Sequence, residues 1–388
     1  MLKQDLQHIA IVGGGPGGLM LGRLLQQQGY NFTIYERGHR NLHSDRGGSL
    51  DIHEDSGQLP LKEAQIFEAF RTYARYDGED TRIVKKDGTI LYDEDAEGEG
   101  GRPEIDRGQL CDIILEQIDP SHIQYGYQLK SMAQQDDGRT IIHFENGETA
   151  VTDLVIGADG AFSKVRPYLT DAEPEYTGIS MVEMNSDEQE HPDLLAFNKN
   201  GKVMGLGGDR AILGQRNGDG RIMAYISFKT HYDTLDQYRH LPLEDLKTKL
   251  LADFEDWADE LKNYIRYSYD DIKFRRIYKL PVGLTWDTQS HVTLIGDAAH
   301  LMSPFAGEGV NMALYDAYLL AEAFKTHDNV MDILQHYEQQ MNDITKGHAQ
   351  ESQENLERFF SENGAETMAA FFENPYDAAS HTSSASQN

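Results

Sequence analysis

A glycine-rich turn close to the N-terminus carries the first residues whose types and spacing could do chemistry. Gly13, Gly15 and Gly18 form the pattern Gly-x-Gly-x-x-Gly. In such a pattern the first glycine permits a tight turn, the second lets backbone approach a pyrophosphate, and the third lets a helix pack closely on a strand. That helix presents N–H groups and its positive dipole end to phosphates. The turn therefore predicts a dinucleotide site, with a glycine turn that serves packing alone as the alternative.

The position of Glu36 narrows the choice of dinucleotide. The spacing from Gly13 to Glu36 along the chain is close to that expected for a dinucleotide site. In such a site a carboxylate roughly 20 residues after the first glycine accepts hydrogen bonds from both ribose hydroxyls. Such a carboxylate would repel a 2′-phosphate, because like charges at short range disfavour each other. We therefore expect the site to take an unphosphorylated adenosine, either that of FAD or that of NAD.

A second group of residues, near the other end of the chain, favours FAD over NAD. Asp297 ends a predicted strand, where a carboxylate can bind the ribityl chain of a flavin. The loop that contains Pro304, Gly307 and Gly309 opens a helix that carries Asn311. The N-terminus of this helix could stabilise negative charge on a reduced flavin ring. A plain strand–loop–helix connection is the alternative, but it does not explain why such a loop recurs so far along the chain.

A third element follows a predicted strand in the middle of the chain. It consists of Asp159 and Gly160, followed by Ser163, Lys164 and Arg166. Taken alone, an Asp-Gly pair after a strand is often only a turn. Together with the other two elements, in this order along the chain, it becomes a family signature.

Alternating strands and helices must position these three elements. Hydrophobic periodicity predicts strands at His8–Val12, Asn31–Tyr35, Asp153–Gly157 and His291–Gly296, and helices at Gly17–Gln28, from Arg107, at Gly309–Phe324 and at Ile333–Phe360. Between about residues 174 and 278 the pattern changes to short strands broken by glycine turns. The predicted strands there are Leu194–Phe197, Lys202–Leu206, Ala211–Gln215 and Arg221–Phe228, before a helix at Leu243–Leu261.

The fold class predicted from these patterns is an α/β FAD-binding domain of the Rossmann-type βαβ kind, with an inserted, mainly antiparallel-sheet substrate domain and a long C-terminal helix. We place the discontinuous FAD-binding domain at residues 1–173 and 279–332, and the substrate domain at residues 174–278. A bridging helix is expected at 333–372. The Ser- and Ala-rich segment 373–388 is expected to be a disordered tail.

Composition sets outer limits on function. The formal charge of −30 argues against a nucleic-acid partner, because phosphates would be repelled at long range. Cys111 is the only cysteine, which excludes a disulfide framework, a Cys-x-x-Cys redox pair and a cysteine-based zinc site. No apolar run approaches the roughly 18 residues of a membrane helix, and no signal peptide is evident. We expect a cytoplasmic monomer with no metal and no membrane partner.

Taken in order, the motifs resemble the single-component FAD-dependent aromatic hydroxylases, the p-hydroxybenzoate hydroxylase-like class. The resemblance covers nearly the whole chain. Within the class, the sequence looks most like the tetracycline-inactivating monooxygenases. The stretches that carry this closer resemblance are Gly47–His53, Ser56–Gln58, Pro103–Arg107, Ile226–Thr230, His300–Gly307 and Tyr337–Met341.

The resemblance implies a role for each motif in cofactor binding. Glu36 and Arg37 would hold the adenosine of FAD. Asp51 and Arg107 would contact the cofactor, and Asp297 would bind its ribityl-pyrophosphate region. The other implied contacts are the segment with Pro304, Gly307, Gly309 and Asn311 beside the isoalloxazine, Asp159 with Gly160 for both FAD and NADPH, and Arg46 for NADPH. The sequence has no second Gly-x-Gly-x-x-Gly, which fits the transient docking of NADPH in this class.

The resemblance also implies an activity. NADPH would reduce FAD, the reduced flavin would capture O2, and a C4a-hydroperoxide would deliver a hydroxyl to an electron-rich ring. No protein acid or base is assigned to the chemistry, and tetracycline-like antibiotics are the most specific substrates implied. The tetracycline enzymes carry a glutamine, an arginine, a histidine and a small residue on the substrate sheet. The substrate candidates at or near these positions and around the isoalloxazine ring are Glu183, Lys202, Leu213, Met223, Tyr225, Phe305 and Phe359. For the two phenylalanines, apolar packing is the alternative.

Other functions remain open at this point. A hydroxylase of another phenolic or polyketide metabolite would use the same flavin chemistry. A flavin halogenase is disfavoured, because Trp257 and Trp286 lie far apart and form no Trp-x-Trp motif. A non-catalytic flavin-binding redox module would need only the pocket, and a plain NAD dehydrogenase would lack bound flavin.

Overall fold

The computed structural model describes residues 1–39, 48–96 and 100–373, which divide into two compact units. Unit 1 comprises Met1–Ala74, Ile105–Glu175 and Tyr278–Gln353, and unit 2 comprises Arg75–Glu104, Tyr176–Ile277 and the chain from Glu354. The units differ from the predicted division in that residues 75–104 group with the inserted sheet and residues 333–353 group with the nucleotide-binding part. The predicted tail lies outside the described residues, apart from Glu373.

Both strands and helices occur throughout the described chain. The strands are β1 (Ile9–Val12), β2 (Phe32–Glu36), β3 (Ser49–Asp51), β4 (Thr81–Lys85), β5 (Ile90–Glu94), β6 (Glu104–Asp106), β7 (Ile123–Tyr125), β8 (Leu129–Gln134), β9 (Thr140–Phe144), β10 (Thr149–Thr152), β11 (Leu154–Gly157), β12 (Glu175–Asp187), β13 (Lys202–Gly207), β14 (Arg210–Arg216), β15 (Arg221–Lys229), β16 (Tyr269–Lys279) and β17 (Val292–Leu294). The helices are α1 (Pro16–Gln27), α2 (Gln58–Glu63), α3 (Phe67–Tyr73), α4 (Arg107–Leu115), α5 (Pro192–Asn198), α6 (Asp236–Arg239), α7 (Leu243–Asp253), α8 (Asp259–Arg266), α9 (Asp297–His300), α10 (Gly309–Thr326), α11 (Val330–Phe359) and α12 (Gly364–Glu373).

Unit 1 is built on a five-stranded sheet in the order β17-β11-β1-β2-β7. Every neighbouring pair is parallel. The run Ile9-Ala10-Ile11-Val12 is fully buried, as expected for a parallel strand covered on both faces. Strand β1, helix α1 and strand β2 form the predicted βαβ unit, which confirms the α/β fold class. A smaller antiparallel sheet, β10-β9-β8, completes this unit.

Unit 2 is built on a seven-stranded sheet in the order β16-β12-β15-β14-β13-β4-β5. Strands β12 to β15 pair antiparallel, whereas β13 and β4 run parallel. One face of the sheet, which includes Val182, Ile212 and Ile226, packs with Leu250 and Tyr264 from helices α7 and α8 in one hydrophobic cluster. Because side chains alternate between the faces of a strand, the residues between these apolar positions lie on the opposite face.

Two predictions in unit 2 are wrong in detail. The segment Leu194–Phe197 lies in helix α5 and not in a strand. Pro192 at the first helical position and Asp193 in the first turn are helix-start signals that outweigh the short apolar run. The single helix predicted over Leu243–Leu261 is two helices, since the chain leaves the helical path after Asp253. Among the described residues, no helix combines the length and the apolar character needed to cross a bilayer.

Phe254 provides a test of the unit 2 core. Its side chain is fully buried and contacts the rings of Phe228 and Trp257, with centroid distances of 5.4 and 4.9 Å. We expect Phe254→Ala to lower the free energy of unfolding by about 3–5 kcal/mol, because it removes buried area and leaves a cavity. Urea unfolding followed by tryptophan fluorescence measures this loss. Phe162→Ala is the control, because Phe162 is 66% exposed and should change stability by less than about 1 kcal/mol.

Candidate functional site

The glycine turn between β1 and α1 is shaped for a close approach of backbone. Gly13 has a φ of +113°, and a Cβ atom there would lie 2.2 Å from the carbonyl oxygen of Ala158. A Cβ on Gly18 would lie 2.1 Å from the carbonyl oxygen of Gly13, so helix α1 can pack against the turn only without a side chain. Gly15 differs, because a Cβ there would meet nothing within 4 Å. The turn is therefore tight at its outer glycines and open at its central one.

Glu36 lies at the end of β2 and reaches back to this turn. Its carboxylate accepts hydrogen bonds from the backbone N–H of Gly14 at 2.8 Å and of Gly38 at 2.7 Å. The residue is only 5% exposed. These two bonds, one to each carboxylate oxygen, fix the orientation of the group. Arg37, the next residue, is exposed.

These features fit the binding of a dinucleotide such as FAD. The open space at Gly15 lies at the N-terminus of α1, where no side chain of the described residues caps the helix. An N-terminus of this kind attracts anionic groups such as a pyrophosphate. The fixed carboxylate of Glu36 matches ribose hydroxyls and disfavours a phosphate at that position.

The Asp297 turn is held by helix α10. Gly296 has a φ of +61°, and its N–H donates a hydrogen bond to Asp316 at 2.7 Å. His300 Nε2 lies 2.6 Å from the same Asp316 oxygen. Burial raises the pKa of Asp297 above its usual range, although the charges of Arg107, His300 and Arg166 oppose this shift. A Cβ on Gly309 would lie 3.8 Å from Asp297, which places this carboxylate at the start of α10.

The Asp159 loop is joined to the Asp297 turn through Arg166. Asp159 accepts hydrogen bonds from the hydroxyl of Ser163 at 2.5 Å and the N–H of Lys164 at 2.7 Å, while burial raises its pKa. The guanidinium of Arg166 is buried and donates to the carbonyl oxygens of Ala298 at 2.8 Å and Asp297 at 3.2 Å. The structure therefore brings the second and third sequence elements together.

Asn311 ties the Asp51 segment to the loop before α10. Its amide donates hydrogen bonds to the carbonyl oxygens of Asp51 at 3.0 Å and Gly307 at 3.2 Å. Its side-chain oxygen accepts from the N–H of His53 at 3.0 Å. Pro304 opens the short 3-10 turn of this loop, and Gly307 ends it with a φ of +72°. Arg107, at the start of α4, donates its N–H to Gly48 at 3.3 Å.

A set of charged side chains beside Asp51 was not predicted from the sequence. His53 Nε2 lies 3.2 Å from Asp51 Oδ2, and His53 Nδ1 lies 3.3 Å from Glu308 Oε1. His348 Nδ1 lies 3.4 Å from the same Glu308 oxygen. The available signals were the place of His53 two residues after Asp51 and of Glu308 between two glycines. In the described ranges, no such group is arranged to hold a metal ion.

In unit 2, five of the predicted substrate residues share one face of the sheet, which we call the Glu183 face. In the strand register Tyr225 is opposite both Glu183 and Leu213, and opposed residues point to the same side. Met223 lies two residues before Tyr225 in the same strand and therefore points to the same side. Gln215 is opposite Met223 in one strand pair and opposite Lys202 in the next, so Lys202 points to this side as well. The Glu183 face consists of Glu183, Lys202, Leu213, Met223 and Tyr225, together with Lys273 and Arg275 from β16.

The electrostatic centre of the Glu183 face is Glu183 itself. Its side chain is buried and accepts a hydrogen bond from Arg275 Nε at 2.5 Å and from Lys273 Nζ at 3.1 Å. The two cations are partly exposed, at 45% for Arg275 and 38% for Lys273. Burial raises the pKa of Tyr225 to about 12, so its hydroxyl stays protonated at neutral pH. Two cations therefore face the one carboxylate of Glu183, while Glu104 and Asp271 add negative charge near Tyr225 and Asn185.

Three further predicted residues are not part of the Glu183 face. Phe305 is buried in the 3-10 turn of unit 1, and Phe359 is buried at the end of α11 in unit 2. Arg46, the predicted NADPH contact, falls outside the described residues. The roles of all these residues stay predictions.

Comparison with known proteins agrees with this geometry. The family model described as an FAD binding domain matches residues 7–352. Monooxygenase asqM of Emericella nidulans is 29% identical in an alignment 376 positions long, which covers 83% of this chain and 84% of that protein. The structure of Klebsiella pneumoniae HpxO complexed with FAD and uric acid has a TM-score of 0.78 at 18% identity, covering 95% of this chain and 92% of that one. Tetracycline destructase Tet(51) has a TM-score of 0.68 at 22% identity, covering 94% and 95%. At these identities the two structures show a shared fold.

The contrast between Gly15 and Gly18 gives a matched test of the cofactor site. We expect Gly18→Ala to lower the melting temperature by several degrees, because its Cβ would overlap the carbonyl of Gly13. Gly15→Ala should keep the wild-type melting temperature of the flavin-free protein but weaken FAD binding by about tenfold or more, since the methyl group occupies the open space where backbone must approach the pyrophosphate. Flavin fluorescence titration and thermal unfolding separate the two effects. Equal FAD affinity in Gly15→Ala and wild type would contradict the assignment.

Proposed function

Because the chain belongs to the FAD-binding family and is an FAD-dependent monooxygenase, we propose that it consumes NADPH and O2 to hydroxylate an aromatic or polyketide substrate. Tetracycline-like compounds are the most specific candidates. The observation that carries the proposed substrate class is the Glu183 face, where an aromatic and two apolar side chains lie beside the partly exposed cations Lys273 and Arg275.

The protein groups proposed to hold FAD follow from the geometry of unit 1. The N-terminus of α1 would hold the pyrophosphate, and Glu36 would accept hydrogen bonds from the ribose hydroxyls of the adenosine. Asp297 would bind the ribityl region from the start of α10, with Arg107 supplying nearby positive charge. Bound FAD supplies the redox chemistry that activates O2. The chain contributes position, charge and exclusion of water.

Charge and apolar surface within unit 2 support the proposed substrate class. Arg275 donates through Nε to Glu183, which leaves the other guanidinium N–H groups directed away from that bond. A ring that carries an ionised phenol or enol would find both a cation and the half-buried apolar side chain of Leu213 on one face. Tetracyclines are polycyclic compounds with such acidic groups.

A hydroxylase of another phenolic or polyketide compound is the second candidate. Glu183 favours it, because the tetracycline enzymes resembled by this sequence carry a neutral glutamine at the corresponding position. Here the carboxylate engages two cations that would otherwise be available to substrate. The replacement of glutamine by glutamate changes how many positively charged groups remain for a ligand. The preferred ring system can therefore differ as well.

NADPH consumption in air tests the proposed reaction. We expect the holoenzyme to oxidise NADPH faster with tetracycline or a phenol panel than without, and to give a product heavier by one oxygen atom in the mass spectrum. Replacing NADPH with NADH should slow the reaction. If tetracyclines stimulate only hydrogen peroxide formation while another phenol gains oxygen, the second candidate holds. Flavin-loaded protein that oxidises NADPH no faster with any compound would favour the redox-module alternative.

Arg275 provides the corresponding test of substrate recognition. We expect Arg275→Gln to raise the KM of an anionic aromatic substrate about 10- to 100-fold, because a hydrogen bond to a charged group contributes about 1.5–3 kcal/mol. A neutral analogue should respond much less. Arg276→Gln is the matched control, since Arg276 pairs with Asp236 at 2.8 Å and stands next in the strand. Equal KM changes for anionic and neutral rings would contradict the role of Arg275.

A further inference from the structure

Three charged side chains of unit 1 connect the segment after β3 with the start of α10. They are Asp51, His53 and Glu308, which we call the His53 bridge. His53 Nε2 lies 3.2 Å from Asp51 Oδ2, and His53 Nδ1 lies 3.3 Å from Glu308 Oε1. The ring of His53 therefore has a carboxylate oxygen on each side.

The geometry of the bridge requires a proton on both ring nitrogens of His53. A neutral imidazole has one N–H donor and one bare nitrogen that can only accept a hydrogen bond. A bare nitrogen this close to a carboxylate oxygen would set two lone pairs against each other. Burial lowers the pKa of His53, but its contacts with Asp51 and Glu308 outweigh this effect and raise the pKa to about 9. At neutral pH the bridge is thus a cation between two carboxylates.

The ring of His53 is held in place through its own backbone. The N–H of His53 donates a hydrogen bond to Asn311 Oδ1 at 3.0 Å, and its carbonyl oxygen accepts one from the N–H of Gln58 at 2.9 Å. The side chain of His53 is only 2% exposed. A ring anchored in this way presents its two N–H groups in set directions, so it can orient a neighbouring carboxylate.

Glu308 forms the end of the bridge at helix α10. It directly precedes the first turn of the helix, and its side chain is 9% exposed. Burial raises the pKa of Glu308, but its contacts with His348 and His53 outweigh this effect and lower the pKa to about 2. His348 Nδ1 lies 3.4 Å from the same Glu308 oxygen and has no hydrogen-bond partner among the described residues, so His53 makes the closer contact. The carboxylate of Glu308 is therefore ionised at neutral pH and sustains the charge on His53.

Asp51 forms the more exposed end of the bridge, at the candidate cofactor site. Its side chain is 19% exposed, and its backbone carbonyl accepts a hydrogen bond from the amide of Asn311. A Cβ atom on Gly307 would lie 3.1 Å from the Asp51 carboxylate, which places this carboxylate against the loop that opens α10. The carboxylate of Asp297 lies at the start of the same helix. Asn311 thus fixes the backbone at Asp51, while His53 fixes the direction of the side chain.

We propose that His53 is a positioning residue of the FAD site, a cation that aims the Asp51 carboxylate at a hydrogen-bond donor of the cofactor. FAD has such donors in its ribityl hydroxyls and its flavin ring N–H, and an ionised carboxylate can only accept. Buried ion pairs often contribute little net stability, and here the gain is a fixed direction for one carboxylate. That cofactor donors lie within reach of Asp51 rests on the proposed function, which puts FAD at the start of α10.

The charge of the His53 ring can be measured by 15N NMR of the histidine-labelled holoenzyme, with the His53→Gln variant for assignment. We expect both nitrogens of His53 to be protonated at neutral pH and the ring to lose a proton near pH 9. In Glu308→Gln the pKa of His53 should fall by at least about one unit, because a neutral amide no longer stabilises the charged ring. A neutral ring in the wild type at neutral pH, or an unchanged pKa in Glu308→Gln, would overturn the proposal.

The pH dependence of FAD binding tests the connection to the cofactor. Because the pKa of His53 is raised in the folded protein, the charged ring is complete at neutral pH and is lost as the pH rises through 9. We expect the Kd for FAD, from flavin fluorescence titration, to rise about tenfold across this range. Ionisation of the flavin itself affects every variant alike, so the rise is compared with that in Asp51→Asn, where it should be smaller. Equal rises in the two proteins would contradict the role of His53.

A double-mutant cycle separates the aiming of Asp51 from general damage to the loop. We expect Asp51→Asn and His53→Gln each to raise the Kd for FAD about tenfold at neutral pH. The double variant should also show a rise of about tenfold, because His53 acts through Asp51. Independent effects would multiply to about a hundredfold, and that result, or wild-type affinity in His53→Gln, would overturn the proposal. Thermal unfolding of the flavin-free proteins establishes that each variant folds, and the wild-type titrations need no variant of His53.

His336→Gln is the matched control, because His336 lies in unit 1 on helix α11 and is exposed. It should bind FAD with the wild-type Kd at every pH. None of these measurements uses NADPH, O2 or an organic substrate. A failure of the His53 bridge is therefore distinguishable from a failure of the proposed hydroxylation.

Discussion

The buried amide of Asn311 is the contact on which the loops of unit 1 depend. One side chain donates to Asp51 and Gly307 and accepts from His53, so it joins the segment after β3 to the loop before α10. Further along the same helix, Asp316 holds the Gly296–Asp297 turn. A single helix thus fixes two binding loops with two polar side chains. Buried polar networks of this kind specify one arrangement, because any alternative would leave partners unsatisfied.

Charge is distributed in a way that the composition conceals. The chain carries a formal charge of −30, yet cations are concentrated beside the candidate sites. Arg166 is buried and donates to the carbonyl oxygens of Ala161, Ala298 and Asp297, and both Arg275 and Lys273 pair with Glu183. A strongly acidic protein can therefore bind an anionic cofactor such as FAD, since the interaction is decided within a few ångströms and more distant charges are screened.

The sequence predicted those parts of the site that are encoded locally. Gly13, Gly18 and Glu36 were recognisable because a turn, a helix start and a strand end occupy fixed positions relative to one another. The proximity of His53 to His348 was not recognisable in the same way. Almost the whole of unit 1 separates these residues along the chain, and only the packing of the fold brings them together. Helix α5 was mistaken for a strand because an apolar run of four residues does not distinguish the two periods.

Strand register explains the remaining difference between sequence and structure. Glu183, Tyr225, Leu213 and Lys202 each appeared as isolated candidates, and nothing in their spacing said that they share a face. The pairing of β12, β15, β14 and β13 supplies that information. A shift of one residue in any pair would have sent the candidates of that strand to the opposite side. Resemblance suggested these residues for a site, and hydrogen bonding between strands puts them side by side.

The parallel pair between β4 and β13 has a consequence for how the molecule can be taken apart. Strand β4 reaches the sheet from a part of the chain about 120 residues before β13, since Thr81 pairs with Lys202. A fragment cut at 176 and 277 would therefore lack β4 and β5 and would leave the hydrogen-bonding edge of β13 bare. Bare edges invite pairing with other chains. The seven-stranded sheet therefore cannot be transferred to a relative as one continuous segment: two separate pieces of polypeptide would have to be exchanged together.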